Sequence, residues 1–385
     1  MTPPHPAPPS GRRRLVLVGG GHAHVEVVRR FGRSPVPGVE VVLVSRELAT
    51  PYSGMVPGHV AGHHGFADIH VDLVRLARAH GARLVHAEAV GLDRGARRLL
   101  FKRAPPLAYD LLSLDVGITP DLRSIPGAAE HALAVKPIGT FLARWEALRA
   151  ACLTADGPRR LALIGGGAAG VELALAVRHR LAEDARRAGL EARFALTLVG
   201  AGPVLAGYGA GFRGRCLSAL ARHGIRVEVG CAEGIDPGGV RLAGGEWVEA
   251  DAVLVATGAA APPWLAGTGL ALDGDGFLAL EPTLQVRGEA DVFAAGDCAT
   301  LLASPAPKAG VFAVRQGPVL AENLRRRLAG EPLRSYRPQR RWLTLLSTGE
   351  RRAIATRAPW WSAEGAWVWR WKSWLDRRWM RRYRP

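Results

Sequence analysis

Gly165, Gly167 and Gly170 complete a G-x-G-x-x-G, while Gly19 and Gly21 supply the first two positions of a second copy in which His24 replaces the third glycine. Glycines at this spacing, between a strand and a helix, let backbone N–H groups approach a pyrophosphate at the positive end of the helix dipole. The third glycine serves helix-to-strand packing more than phosphate contact, so His24 is expected to loosen the packing of its unit without abolishing the site. Where an acid would read a ribose, after the second strand of each unit, stand Ser45 and Gly200. Ser45 can still hydrogen-bond a sugar hydroxyl. Gly200 cannot do so with a side chain, and no arginine sits immediately beside it to hold a 2′-phosphate, which leans the second unit toward NADH over NADPH.

Other residues could surround a redox-active ring. Asp297 follows Gly296 at a strand end, where its carboxylate is placed to accept hydrogen bonds from sugar-alcohol hydroxyls; a turn-capping aspartate is the plainer alternative. Glu172, two residues past Gly170, is expected on the first helical turn, pointing toward the junction of two cofactors, or else simply complementing the helix N-terminus. Lys308 precedes an apolar helical stretch containing Gln316. If that helix starts near Ala309 and aims at the ring, its free N–H groups and Lys308 would stabilise negative charge there, with a solvent lysine as the bland reading. The segment from Thr50 through Tyr52, Ser53, Gly54 and Met55 to Gly58 is stiff and apolar and could wall the ring. Four histidines, His59, His63, His64 and His70, have no accompanying acid at helical ligand spacing, so they read as loop polarity and not as a metal site.

Periodicity supplies the elements that must hold these groups. Arg14 to Val18 reads as a buried strand, followed by the first glycine turn and a helical stretch through Arg30; Leu161 to Ile164 repeats the pattern. Val39 to Ser45 and Phe194 to Val199 follow as second strands, which makes a β-α-β unit twice. The expected fold is α/β, with two Rossmann-like dinucleotide-binding domains. Strand-then-turn segments at Tyr109 to Gly117, Asp251 to Gly258 and Asp291 to Asp297 extend the sheets, the last returning to the first unit. The division reads as a disordered leader over 1–13, a discontinuous FAD-binding domain at 14–117 and 276–335, an inserted NAD(P)-binding domain at 118–275, and a small subdomain at 336–385.

Composition fits this class, with 48% apolar and 22% charged residues in 385. The net charge of +17 is uneven: residues 334–385 carry 14 Lys or Arg against three acids, which is +11. Eight of the eleven tryptophans fall between Trp342 and Trp379. On a helix Trp367, Trp371, Trp374 and Leu375 would share one face and Arg370, Arg377 and Arg381 another, with Arg378 inside the apolar stripe. Such a helix suits an anionic membrane interface; packing on the chain's own domains, or on a twin subunit as a homodimer, is the alternative. No nucleic-acid motif accompanies the charge. Cys152, Cys216, Cys231 and Cys298 form no C-x-x-C pair, so a redox dithiol is unsupported. The leader lacks the hydrophobic core of a signal peptide, and no apolar run reaches the ~20 residues of a spanning helix. The chain is therefore expected in the cytoplasm or held on the inner face of the cell membrane.

The run Val16-Leu17-Val18-Gly19-Gly20-Gly21-His22-Ala23-His24, the Pro-Tyr-Ser-Gly-Met segment, the second glycine motif and the Gly296-Asp297 pair resemble the pyridine nucleotide-disulfide oxidoreductase superfamily. Within it, the chain is similar to the type II NADH dehydrogenase-like flavoprotein often fused ahead of selenide, water dikinase, and is expected here to stand alone. The resemblance implies noncovalent FAD contacted at Gly19, Gly21, Ser45, Arg46, Ala89 and Asp297. It implies NAD(P)H docking at Gly165, Gly167, Gly170, Glu172 and Gly258, and a quinone-like acceptor near the helix carrying Gln316. The expected reaction is hydride transfer from NAD(P)H to flavin, with electrons passed to the acceptor. The rivals are a nicotinamide-independent flavoenzyme acting on a sulfur or selenium compound, and a flavin-bound interaction module linked to selenophosphate synthesis.

Overall fold

The computed structural model describes residues 11–191 and 194–384. Most of the expected leader lies outside these residues, and Arg13 is already in a strand, paired with Val39. Strand β1 (Arg13–Val18) buries Leu15, Val16 and Leu17 completely, as a central parallel strand covered on both faces must. Helix α1 (His22–Arg33) leads to β2 (Val39–Ser45), and the Thr50–Gly58 segment turns into a short helix, α2 (Val56–Val60). Strands β3 (Arg83–His86) and β4 (Leu111–Leu114) pair in parallel with β2 and β1 respectively.

A second sheet follows. It contains β5 (Ala132–Ala134), β6 (Arg160–Ile164), helix α3 (Ala168–Arg187), β7 (Ala195–Gly200), helix α4 (Ala210–Arg222), β8 (Ile225–Val229) and β9 (Ala252–Val255). Its strand order is β5-β9-β6-β7-β8, all parallel. Strand β10 (Val292–Ala294) then pairs with β4, so the chain returns to the first sheet, whose order is β10-β4-β1-β2-β3. The architecture is α/β with two Rossmann-like parallel cores. In each sheet the strand order reverses beside the strand that feeds the glycine turn, and the crevice there is where ligands bind in this architecture. Helix α5 (Gly310–Ala329) lies so close to α1 that a side chain at Gly317 would crowd Ala23 and Glu26.

The last layer is an antiparallel sheet of β11 (Thr344–Ser347), β12 (Ala353–Ala358) and β13 (Trp361–Gly365), followed by α6 (Ala366–Met380). It leans on the second unit, where Arg222 pairs with Glu364 at 2.8 Å, and reaches the first, where Lys372 Nζ donates to the Gly54 carbonyl at 2.5 Å. The helix turns a different face inward from the one its tryptophans suggest. Val368, Lys372, Ser373, Asp376, Trp379 and Met380 are buried, because Lys372 and Asp376 pair at 2.9 Å and can enter the interior together. Trp367 and Trp374 remain 54% and 50% exposed. Arg378 lies with its guanidinium 5.2 Å from the centre of the Trp374 ring, so the arginine in the apolar stripe is accommodated by a cation–π contact.

Candidate active site and its cofactor cleft

The first glycine turn is packed by a residue the sequence reading passed over. Asp115, just beyond β4, is buried, and its carboxylate accepts hydrogen bonds from the amides of Ala23 at 2.9 Å and His24 at 3.1 Å, two of the free donors at the start of α1. A Cβ on Gly19 would overlap the Asp115 carbonyl, and one on Gly21 or Gly296 would overlap its carboxyl group. Burial pushes the Asp115 carboxyl up to about 7; the two amides oppose the rise and Asp297 adds to it. His24 does not loosen the turn, contrary to expectation. Its ring bridges the Gly19 carbonyl and the Ser113 hydroxyl, both at 2.8 Å, tying helix to strand where a third glycine would only have allowed close approach.

Beyond the turn opens a cleft of about 390 Å³ lined by Gly19 to His22, Ser45, Arg46, Glu47, Ala89, Asp115, Lys136, Asp297 and Gly310 among others. Strand β2 ends on Ser45 as expected, but two residues beyond it Glu47 brings an acid to the cleft. Ser45 Oγ accepts from the Glu47 amide at 3.2 Å, and a side chain at Gly139 would crowd the Glu47 carboxylate. Asp297 pairs with Lys136 Nζ at 3.2 Å. His22 lines the same cleft; burial lowers its pKa to about 4, with Asp297 opposing and Lys136 assisting, so the ring is neutral. Its Nε2 is buried without a hydrogen-bond partner. Behind it Tyr52 stacks on Trp379 with centroids 4.3 Å apart, and both rings lie 5.3 Å from His22. A glycine cradle, a carboxylate for sugar hydroxyls and an unpaired imidazole nitrogen fit a dinucleotide with a redox-active ring.

Several expected residues fall elsewhere. Lys308 turns away from the cleft: its ammonium donates to the Ala299 carbonyl at 2.7 Å and the Thr300 hydroxyl at 2.8 Å and lies over the Phe277 ring. Lys136 lines the cleft instead. Gln316 acts behind the site, its Oε1 accepting from the Gly296 amide at 2.7 Å and so fixing the turn that carries Asp297. Met55 is core, and Gly54 serves as the acceptor for Lys372. The Cys298 thiol follows Asp297, but burial pushes it up to about 12, far from a reactive thiolate. Among the described residues no group of three His, Cys, Asp or Glu side chains gathers to hold a metal ion; His59, His63 and His70 bond to backbone carbonyls.

The second glycine turn divides its labour by position. Gly165 has φ +139°, and a Cβ on Gly170 would overlap the Gly165 carbonyl, so both are required by backbone geometry. Gly167 is extended, and a Cβ there would meet nothing within 4 Å: it faces open space. Gly258 has φ +49° and lies against Asp121. Glu172 is not aimed at the junction of two cofactors. Its Oε1 accepts from the Ser347 amide at 2.8 Å and faces Lys372 at 4.0 Å, so it joins α3 to the C-terminal layer. Burial raises its pKa, against the pull of Lys372 and Ser347.

The profile of the family described as pyridine nucleotide-disulphide oxidoreductase matches residues 13–317. NADH dehydrogenase-like protein YutJ of Bacillus subtilis is 24% identical over 334 residues, covering 85% of this chain and 87% of its own. A type II NADH:quinone oxidoreductase of Staphylococcus epidermidis is 23% identical over 352 residues, covering 84% and 85%. In fold, the chain is similar to the sulfide:quinone oxidoreductase of Aquifex aeolicus, with a TM-score of 0.80 at 17% identity over 97% of this chain and 91% of that one.

Proposed function

Because this chain belongs to the pyridine nucleotide-disulphide oxidoreductase family, we propose that it is an FAD-dependent NAD(P)H oxidoreductase delivering electrons to a quinone-like acceptor at a membrane surface. The observation that carries the reading is the cleft that joins the first glycine turn to Lys136, Asp297 and the start of α5. FAD, when bound, supplies the hydride and electron chemistry; the protein binds, orients and tunes it. The amides of Gly20, Gly21 and His22 would hold the pyrophosphate, Glu47 and Ser45 the adenosine ribose, and Asp297 the sugar-alcohol chain. Lys136 would stabilise negative charge in the cleft. Gly165, Gly167 and Gly170 would carry NAD(P)H, with Gly258 at its edge. His22, with Tyr52 and Trp379 packed behind it, would present an aromatic face to a planar acceptor.

The exposed Trp360, Trp367 and Trp374, interleaved with Arg341 and Arg378, support attachment to an anionic membrane surface. Among the described residues no helix is long and apolar enough to cross a membrane. A second reading, a nicotinamide-independent flavoenzyme for a sulfur or selenium compound, draws on Gly200, which ends β7 without a ribose-reading side chain. Anaerobic stopped-flow absorbance near ~450 nm after mixing with NADH or NADPH separates the two. Rapid flavin bleaching is expected. Bound flavin that stays oxidised with both donors would overturn the leading reading and favour the second.

A further inference from the structure

We propose that Asp115 is a proton-gated positioning residue for FAD, holding the start of α1 in place of a phosphate and needing its proton for the pyrophosphate to bind tightly. The inference rests on the FAD reading of the cleft. Glycines in such a turn are expected to leave room for phosphate oxygens. Here the space beside Gly19, Gly21 and Gly296 is taken by Asp115. Two of the helix-start amides, those of Ala23 and His24, are already bonded to its carboxylate, leaving Gly20, Gly21 and His22 to meet a ligand. A pyrophosphate on those amides therefore shares one helix terminus with a carboxyl group that lines the same cleft. Two anions on one dipole end repel, and a protonated Asp115 removes the conflict.

The groups around this carboxyl leave it as the one able to change charge near neutrality. From α1, burial holds the rings of His22 and His24 neutral, with pKa values of about 4. From the turn after β10, Asp297 adds negative charge and the Cys298 thiol stays protonated. Lys136 is engaged with Asp297, and Gln316 from α5 is uncharged. Burial puts Asp115 itself at about 7. The sign follows: FAD selects the protonated form, so affinity is constant below that value and falls as pH rises above it, with one proton taken up on binding. For a single group at about 7, Kd rises about 30-fold between pH 6 and pH 8.5.

The test is FAD release from the holoprotein on dilution, followed by recovery of free-flavin fluorescence from pH 6 to 8.5, in the wild type and in Asp115→Asn. The asparagine keeps the shape and an oxygen for the two amides but cannot ionise. The expected result is a wild-type Kd rising about 30-fold and a variant Kd flat within about threefold at the wild type's low-pH level. Should D115N not fold, Asp115→Ser, which keeps one hydroxyl acceptor, carries the same comparison. FAD that binds with a pH-independent Kd in the wild type, or with the same slope in the variant, overturns the inference and leaves the cofactor reading standing. A purified protein that holds no FAD at any pH overturns both.

Discussion

Replacing Gly167 with valine should separate nicotinamide binding from folding. The backbone there is extended, at φ −78° and ψ 176°, a conformation β-branched residues adopt readily, and no atom lies within 4 Å of the added Cβ. The stability cost is then only the weaker preference of valine at a helix start, about 1 kcal/mol or less, a fall in Tm of about 2–4 °C. On the proposed function, the side chain would instead fill the open space through which the NAD(P)H pyrophosphate approaches. Two charge-assisted hydrogen bonds lost at about 1.5 kcal/mol each give about 3 kcal/mol, or more than 100-fold in KM for NADH. FAD content should not change. Gly170→Val is the contrasting case: its Cβ runs into the Gly165 carbonyl, so overpacking of about 1–3 kcal/mol should lower Tm and NADH oxidation together. Steady-state kinetics with thermal unfolding of both variants is the assay. An unchanged NADH KM in G167V, or a G167V that unfolds like G170V, would show that Gly167 does not face the nicotinamide cofactor.

Lys372→Met leaves Asp376 buried without its cation and the half-buried Gly54 carbonyl without its donor, which should cost about 3–5 kcal/mol; thermal unfolding should show the double variant K372M/D376L to be less destabilised than K372M alone. Lys136→Met should lower the flavin midpoint potential by about 20 mV, equivalent to about 1 kcal/mol for a partly exposed charge in a two-electron couple. Lys308→Met should leave that potential unchanged in a spectroelectrochemical titration, and a larger effect at Lys308 than at Lys136 would reverse our assignment. Trp367→Glu with Trp374→Glu should weaken sedimentation with anionic vesicles by more than about tenfold, since each buried aromatic contributes about 1.5–3 kcal/mol, while the absorbance of the flavoprotein stays the same.

Backbone-dominated features were legible in the sequence because glycine spacing and apolar runs report local conformation directly. The two strand-turn-helix units, the return of β10 to the first sheet and the Gly296-Asp297 turn all belong to this class. The side-chain placements were less so. Lys308 and Lys136 are both basic residues beside prolines, and no motif says which ammonium reaches the cleft; the Ala299 carbonyl nine residues back and the Phe277 ring further back along the chain draw Lys308 away. Glu47 could have been found by looking two residues beyond the strand end. Asp115 carried a weaker signal, a carboxylate at the end of an otherwise apolar strand run, where burial is costly unless something requires it.

The tail shows the division most clearly. Its residue spacing suggested a Trp- and Arg-rich helix, since 3.6-residue periodicity is a property of the chain alone, and the structure has one at Ala366–Met380. Which face turns inward depended on a Lys372–Asp376 pair meeting Gly54, more than 300 residues away along the chain, and on Glu172 leaving its own glycine turn to bond Ser347. The sequence by itself determined the elements and the glycine cradles, because those arise from backbone sterics between near neighbours. Only the tertiary structure decided which charges share the cleft, because a buried charge goes where a partner from a distant segment waits for it.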